Sequence, residues 1–128
     1  MDNEKFDKGM MVRRSVLCDA HVDRASKNIT DFDAGFQRFI TEYAWGTVWA
    51  DDSLDKRTRH LITLAIVAAL GKEHEFGMHV RATAQTGVTP DELKEVLNHV
   101  AIYAGLPAAN TAIGIAKKIY AEQEDSDA

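Results

Sequence analysis

Apolar residues recur at helical spacing from about residue 8 to about residue 121, and proline interrupts the chain only at positions 90 and 107. The pattern predicts an all-α chain. Asp31 or Asp33 can cap a helix whose Phe32, Phe36, Phe39, Ile40 and Tyr43 form one stripe facing a core, ending near Trp45 and Gly46. After the polar stretch from Asp51 to Asp55, a second long helix runs from near Lys56 through Leu61, Ile62, Leu64, Ile66, Val67 and Leu70 to Gly71. It is apolar nearly all round, so part of it is expected to pack against another subunit. The next helix covers Lys72 to Thr86, with Phe76, Val80, Thr83 and Ala84 as core positions and Gly87 as its stop. Thr89-Pro90-Asp91-Glu92 has the form of a capping box with proline at the first helical position. Leu93, Val96, Leu97, Val100 and Ala104 form the buried stripe of that helix. Pro107 opens a last one, lined by Ala109, Ala112, Ile113, Ala116, Ile119 and Tyr120.

At 128 residues the chain has the length of one globular domain, expected over 1–128 with a frayed N-terminus (about 1–7) and a frayed acidic tail (about 122–128). Fifteen Lys and Arg against twenty Asp and Glu give a net charge of −5, which argues against a nucleic-acid or anionic-membrane surface. The longest strongly apolar run, Leu61 to Leu70, is half a membrane span. The first residues carry no secretory h-region, so the expected location is cytoplasmic. Cys18 is the sole cysteine, which excludes an intrachain disulfide and dithiol chemistry, and a lone thiol is more often a small buried hydrophobe than a nucleophile.

The most informative cluster is Glu73-His74-Glu75-Phe76-Gly77-Met78-His79-Val80-Arg81. On a helix, Lys72, Glu75 and His79 share a face. A carboxylate one turn before an imidazole can orient the ring and keep a proton available near neutral pH, so His79 reads as a general acid oriented by Glu75. The same spacing also suits a solvated surface pair. A metal site would need a third ligand from His21, His60, His74 or His99, none of them at a recognised spacing, so no metal is expected. Arg59 and Arg81 suit anion contacts or ordinary helix surface, and Trp45 and Trp49 suit core or the wall of a pocket. The chain has no GxGxxG, Walker loop, GxSxG or HExxH.

Five separated blocks carry a likeness: Val12-Arg13-Arg14 through Asp19-Ala20-His21-Val22-Asp23-Arg24, Tyr43-Ala44-Trp45-Gly46, Thr58-Arg59, Glu75 to Arg81, and Ala101 to Asn110. Together, over roughly residues 10 to 121, they resemble the carboxymuconolactone decarboxylase family. The resemblance implies the alkylhydroperoxidase-D-like helical fold of about six helices and a homo-oligomer, a hexamer. In the peroxidase branch a CxxC precedes a histidine, and here the corresponding positions are Lys72 and Glu75, ahead of His79. Peroxidase chemistry is thereby excluded.

The resemblance also implies decarboxylation of 4-carboxymuconolactone to 3-oxoadipate enol-lactone in the protocatechuate branch of the β-ketoadipate pathway. No cofactor is needed, because the lactone is its own electron sink. For a dianionic lactone substrate, the expected roles are His79 with Glu75 in proton delivery, Arg59 and Arg81 on the surviving carboxylate, Trp45 and Trp49 as a dry wall, and His21 at the oxyanion. A related activity on another small lactone or acid, or a non-catalytic helical oligomer, are the alternatives.

Overall fold

The structure, a computed structural model, describes residues 3–127. Its elements are α1 (Glu4–Leu17), α2 (Asp19–Lys27), α3 (Ala34–Ile40), a π-helical segment (Thr41–Val48), α4 (Lys56–Ala69), α5 (Glu73–Thr86), α6 (Pro90–Tyr103) and α7 (Leu106–Asp127). Among the described residues every regular element is helical, with seven α-helices where about six were expected. The extra helix comes from a break at Cys18, whose positive φ of 74° separates α1 from α2. That conformation is uncommon for a residue other than glycine. The thiol is half-buried at this break rather than sunk in a core.

The frayed ends expected over about 1–7 and 122–128 lie partly outside the described residues, and within these the helix runs close to both ends. Helix α1 is already formed at Glu4, with Glu4 and Asp7 in its first turn, where carboxylates oppose the positive helix end. At the other end, α7 carries the acidic stretch as helix through Asp127.

Where length alone suggests one domain, the contacts gather into two compact units, one up to Lys56 and one from Arg57 onward. In the first, α1 lies directly on the π-helical segment. Gly9 makes this possible, because a Cβ there would stand 2.0 Å from the Thr41 carbonyl oxygen. Gly46 meets α1 the same way, its Cβ position lying 2.4 Å from the Lys5 carbonyl oxygen. The stripe expected to face a core does not do so: Phe32, Phe36, Phe39 and Tyr43 are all exposed, Phe32 at 99%. No element of this unit covers them, and Lys5 instead places its ammonium 4.8 Å over the Tyr43 ring.

In the second unit α5 and α6 pack on α7. Leu64, Phe76, Val80, Leu93, Leu97, Val100, Ala112 and Ile119 make the centre of its core. Thr89 Oγ1 accepts from the Glu92 N–H at 3.1 Å while the Glu92 carboxylate accepts from the Thr89 N–H at 2.9 Å, the reciprocal box expected for the start of α6. Gly87, at φ 84°, closes α5 in the left-handed conformation that its missing Cβ permits. Ala84, Ala104 and Ile113, expected as core, are exposed. Helix α4 is apolar nearly all round, yet it buries His60, Leu64 and Ala68 along one face and leaves Ile62, Ile66 and Leu70 exposed.

Candidate active site

The buried face of α4 runs through positions 60, 64 and 68, one turn apart, and the first of these is a histidine. His60 is fully buried. Its Nε2 lies 3.0 Å from His79 Nδ1 on α5, with the rings edge-on at 68°. Its Nδ1 lies 2.5 Å from Thr86 Oγ1, near the end of α5. Two helices of the same unit therefore hold a continuous Thr86–His60–His79 chain.

Burial, and then the nearby His79, push the His60 pKa from 6.5 to about 4. At neutral pH His60 is uncharged, so the state of the pair that can deliver a proton is the one with both His79 nitrogens protonated. In that state His79 donates from Nδ1 to His60 Nε2, and His60 donates from Nδ1 to the Thr86 hydroxyl. Both His79 nitrogens carry hydrogen, and Nε2 is the one outside the chain. With His79 neutral and its hydrogen on Nε2, every bond reverses: Thr86 donates to His60, and His60 donates to His79. In either direction the threonine hydroxyl can complete the chain, because it serves as donor or acceptor.

The structure gives His79 Nδ1 a partner on α4. The hydrogen-bond partner of its Nδ1 is His60, whereas Glu75, though one turn ahead on α5, is exposed. His79 itself is buried. An imidazole that burial has turned toward the α4 core finds its partner there, while a carboxylate of the same helix keeps its hydration.

The other candidates divide between the units. In the second unit, Arg81 is exposed and pairs with Glu122 of α7 at 3.6 Å. Arg59 is half-buried immediately before His60. In the first unit, His21 is half-buried on α2, while Trp45 is buried in the π-helical segment and stacks on Trp49 with centroids 5.1 Å apart. Two cavities of the second unit, about 330 Å³ around Val67, Phe76, Pro107 and Ile115 and about 600 Å³ around Leu61, Ala65, Val96 and His99, are lined by neither His60 nor His79. Among the described residues no three His, Cys, Asp or Glu side chains are grouped to hold a metal ion, and no helix is long and apolar enough to cross a membrane.

A model of the carboxymuconolactone decarboxylase family matches residues 34–118, more than half of the chain. The chain belongs to this family. It is 45% identical over 119 residues to a 4-carboxymuconolactone decarboxylase of Acinetobacter baylyi, covering 93% of this chain and 89% of that protein. It is also 38% identical over 120 residues to a nitrosuccinic acid decarboxylase of Metarhizium robertsii, covering 94% and 84%. The region matched by the family model holds Trp45, Trp49, Arg59, His60, Glu75, His79 and Arg81, and it begins after His21.

His60 is the residue that sequence reasoning did not place in the site. Its signal was nonetheless present, since a histidine sits in register with Leu64 and Ala68 on the stripe that must be buried. A polar group on such a stripe needs a partner, and periodicity does not say which.

Proposed function

We propose that this protein is a cofactor-independent carboxy-lyase that converts 4-carboxymuconolactone to 3-oxoadipate enol-lactone and carbon dioxide, in the protocatechuate branch of the β-ketoadipate pathway. The relative that carries that name supports the reaction. The observation that carries the mechanism is the buried His60–His79 pair completed by Thr86.

Decarboxylation breaks the bond between ring carbon and the departing carboxylate. The electron pair moves through the ring alkene to the lactone carbonyl oxygen, giving a furanolate-like dienolate. One proton must then reach a ring carbon. His79 donates it from Nε2, and His60 positions the donor by holding Nδ1. His79 then regains a proton from water, which balances the cycle. Because His60 stays neutral, it presents no second positive charge to the substrate's carboxylates. On this reading Arg59, Arg81 and His21 are candidates for anion contacts, Trp45 and Trp49 for the apolar wall, and Glu75 acts from the solvent side. The exposed apolar faces, Phe32, Phe36 and Phe39 in one unit and Ile62, Ile66 and Leu70 in the other, support association into a homo-oligomer. On this reading the subunits are alkylhydroperoxidase-D-like, the assembly is a hexamer and its location is the cytoplasm.

A second reading keeps the chemistry and changes the acid. The nitrosuccinic acid decarboxylase, by its name, loses carbon dioxide from an acid whose electron sink is a nitro group. The same proton donor would serve there. The test is simultaneous measurement of carbon dioxide and enol-lactone from freshly generated 4-carboxymuconolactone, with nitrosuccinic acid in parallel. Stoichiometric products well above the spontaneous rate are expected from the lactone. Turnover of nitrosuccinic acid alone would transfer the assignment to it, and inertness toward both would leave only the fold and the family.

A further inference from the structure

Threonines in these helices commonly turn their hydroxyls onto their own backbone. Thr41 donates to the Gln37 carbonyl at 2.8 Å, Thr63 to the Arg59 carbonyl at 3.0 Å and Thr83 to the Val80 carbonyl at 2.6 Å. Thr86, the last residue of α5, departs from this habit, because its hydroxyl lies 2.5 Å from His60 Nδ1 on α4. It is half-buried, and Gln85 and Gly87 on either side of it are exposed. The Thr86–His60–His79 chain therefore runs from a residue that solvent reaches, through a fully buried ring, to His79 two turns earlier on α5. Burial keeps His60 from holding a charge, so it passes a proton on rather than storing it.

On the decarboxylase reading, His79 commits Nε2 to the substrate. A bound dianion favours the charged imidazole, so a proton is taken up once the substrate has arrived and Nε2 is covered. The other ring nitrogen, Nδ1, leads to His60. We infer that Thr86 is a positioning residue of this site and the solvent-side port through which His79 is charged while substrate occupies its Nε2. The inference rests on the decarboxylase reading for the substrate and on the chain itself for the path. Uptake starts from the arrangement in which Thr86 donates to His60 and His60 to His79. A solvent proton joins Thr86 Oγ1, the hydroxyl hydrogen passes to His60 Nδ1, and the hydrogen on His60 Nε2 passes to His79 Nδ1. His79 then carries hydrogen on both nitrogens and gives the one on Nε2 to the ring carbon. After product leaves, Nε2 takes a proton from water and one proton runs outward through the same three groups, so each turnover consumes one.

The experiment uses the full chain with Thr86→Ser, Thr86→Asn and Thr86→Val. Serine keeps a hydroxyl that both gives and receives a proton. Asparagine offers His60 a hydrogen-bond partner but does not relay, and valine offers neither. Steady-state kinetics on 4-carboxymuconolactone are measured together with exchange of the His60 ring hydrogen with water, followed by NMR on protein labelled with ¹⁵N at histidine. Thr86→Ser is expected to stay within about threefold of wild type in both. Thr86→Asn and Thr86→Val are each expected to lose about 10- to 100-fold in kcat with KM nearly unchanged, and to slow the ring exchange about tenfold or more.

Wild-type turnover and exchange in Thr86→Val overturn the inference. Recovery of both by Thr86→Asn overturns it too, since threonine would then serve only as an anchor for His60. So does a Thr86→Ser protein as slow as Thr86→Val, because the hydroxyl would not be what matters. Should Thr86→Val not fold, Thr86→Asn, which keeps a partner for His60, decides between the same outcomes. If no variant and no wild-type protein turns over lactone, yet exchange slows in Thr86→Val and Thr86→Asn and not in Thr86→Ser, the port stands and the decarboxylase reading is the part that fails.

Discussion

Replacing His60 by leucine removes a fully buried imidazole and its two hydrogen bonds while leaving a side chain of similar bulk in the α4 core. The consequence is clearest in acid. In the unfolded chain His60 titrates near 6.5, and in the folded protein it does so near 4. Between these values the unfolded state binds the proton and the folded state does not, so stability falls as the pH falls. The contribution is fully present above about pH 6.5 and is lost by about pH 4, a window of roughly 2.5 units. At about 1.36 kcal/mol per unit, wild type forfeits about 3 kcal/mol that His60→Leu has no reason to lose.

Denaturant unfolding at a series of pH values from 4 to 7.5 measures this, with protein and salt concentrations held constant so that assembly does not shift the midpoint. The variant's stability curve should be flatter than wild type's on the acid side, and the difference should vanish above pH 7 apart from a constant offset. Parallel acid limbs in the two proteins would refute the argument, because they would show that His60 protonates as readily folded as unfolded. The same substitution frees His79 Nδ1, so turnover should fall about 10- to 100-fold, the worth of one hydrogen bond to a charged donor.

Three further outcomes are expected. His79→Gln should lose about 10²–10⁴-fold in turnover in a folded protein, whereas Glu75→Gln, which leaves the His60–His79 bond intact, should lose less than about tenfold; equal losses would return Glu75 to the role of orienter. Gly9→Ala should destabilise by about 1–3 kcal/mol or more, read from denaturant midpoints, because its Cβ lands on the Thr41 carbonyl and backbone must move; an unchanged midpoint would show that α1 and the π-helical segment are not in contact. Thr89→Ala should lower stability by about 1 kcal/mol through loss of the cap on α6, with turnover unchanged, and a loss confined to activity would contradict the structural role of the box.

Much of this protein was legible along the chain because local rules act over one or two turns. The span of α4, the stop of α5 at Gly87 and the box that opens α6 at Thr89 all follow from residues within four positions of one another. The family likeness, read from separated blocks, pointed to His79 in the same way. What periodicity does not hold is which faces meet. The Phe32–Tyr43 stripe has the spacing of a core face and is exposed, since a stripe records only that something apolar can cover it. The Glu75–His79 spacing is right for a pair, but burial turned the imidazole to the α4 core, nineteen positions back in the chain, where His60 waited in register with Leu64 and Ala68. Arg13 and Arg14 are neighbours in the chain, yet packing buries Arg13 and leaves Arg14 to the acids of α2. Helices are decided by near neighbours, and the partners of polar groups by burial, which exists only once the elements have packed.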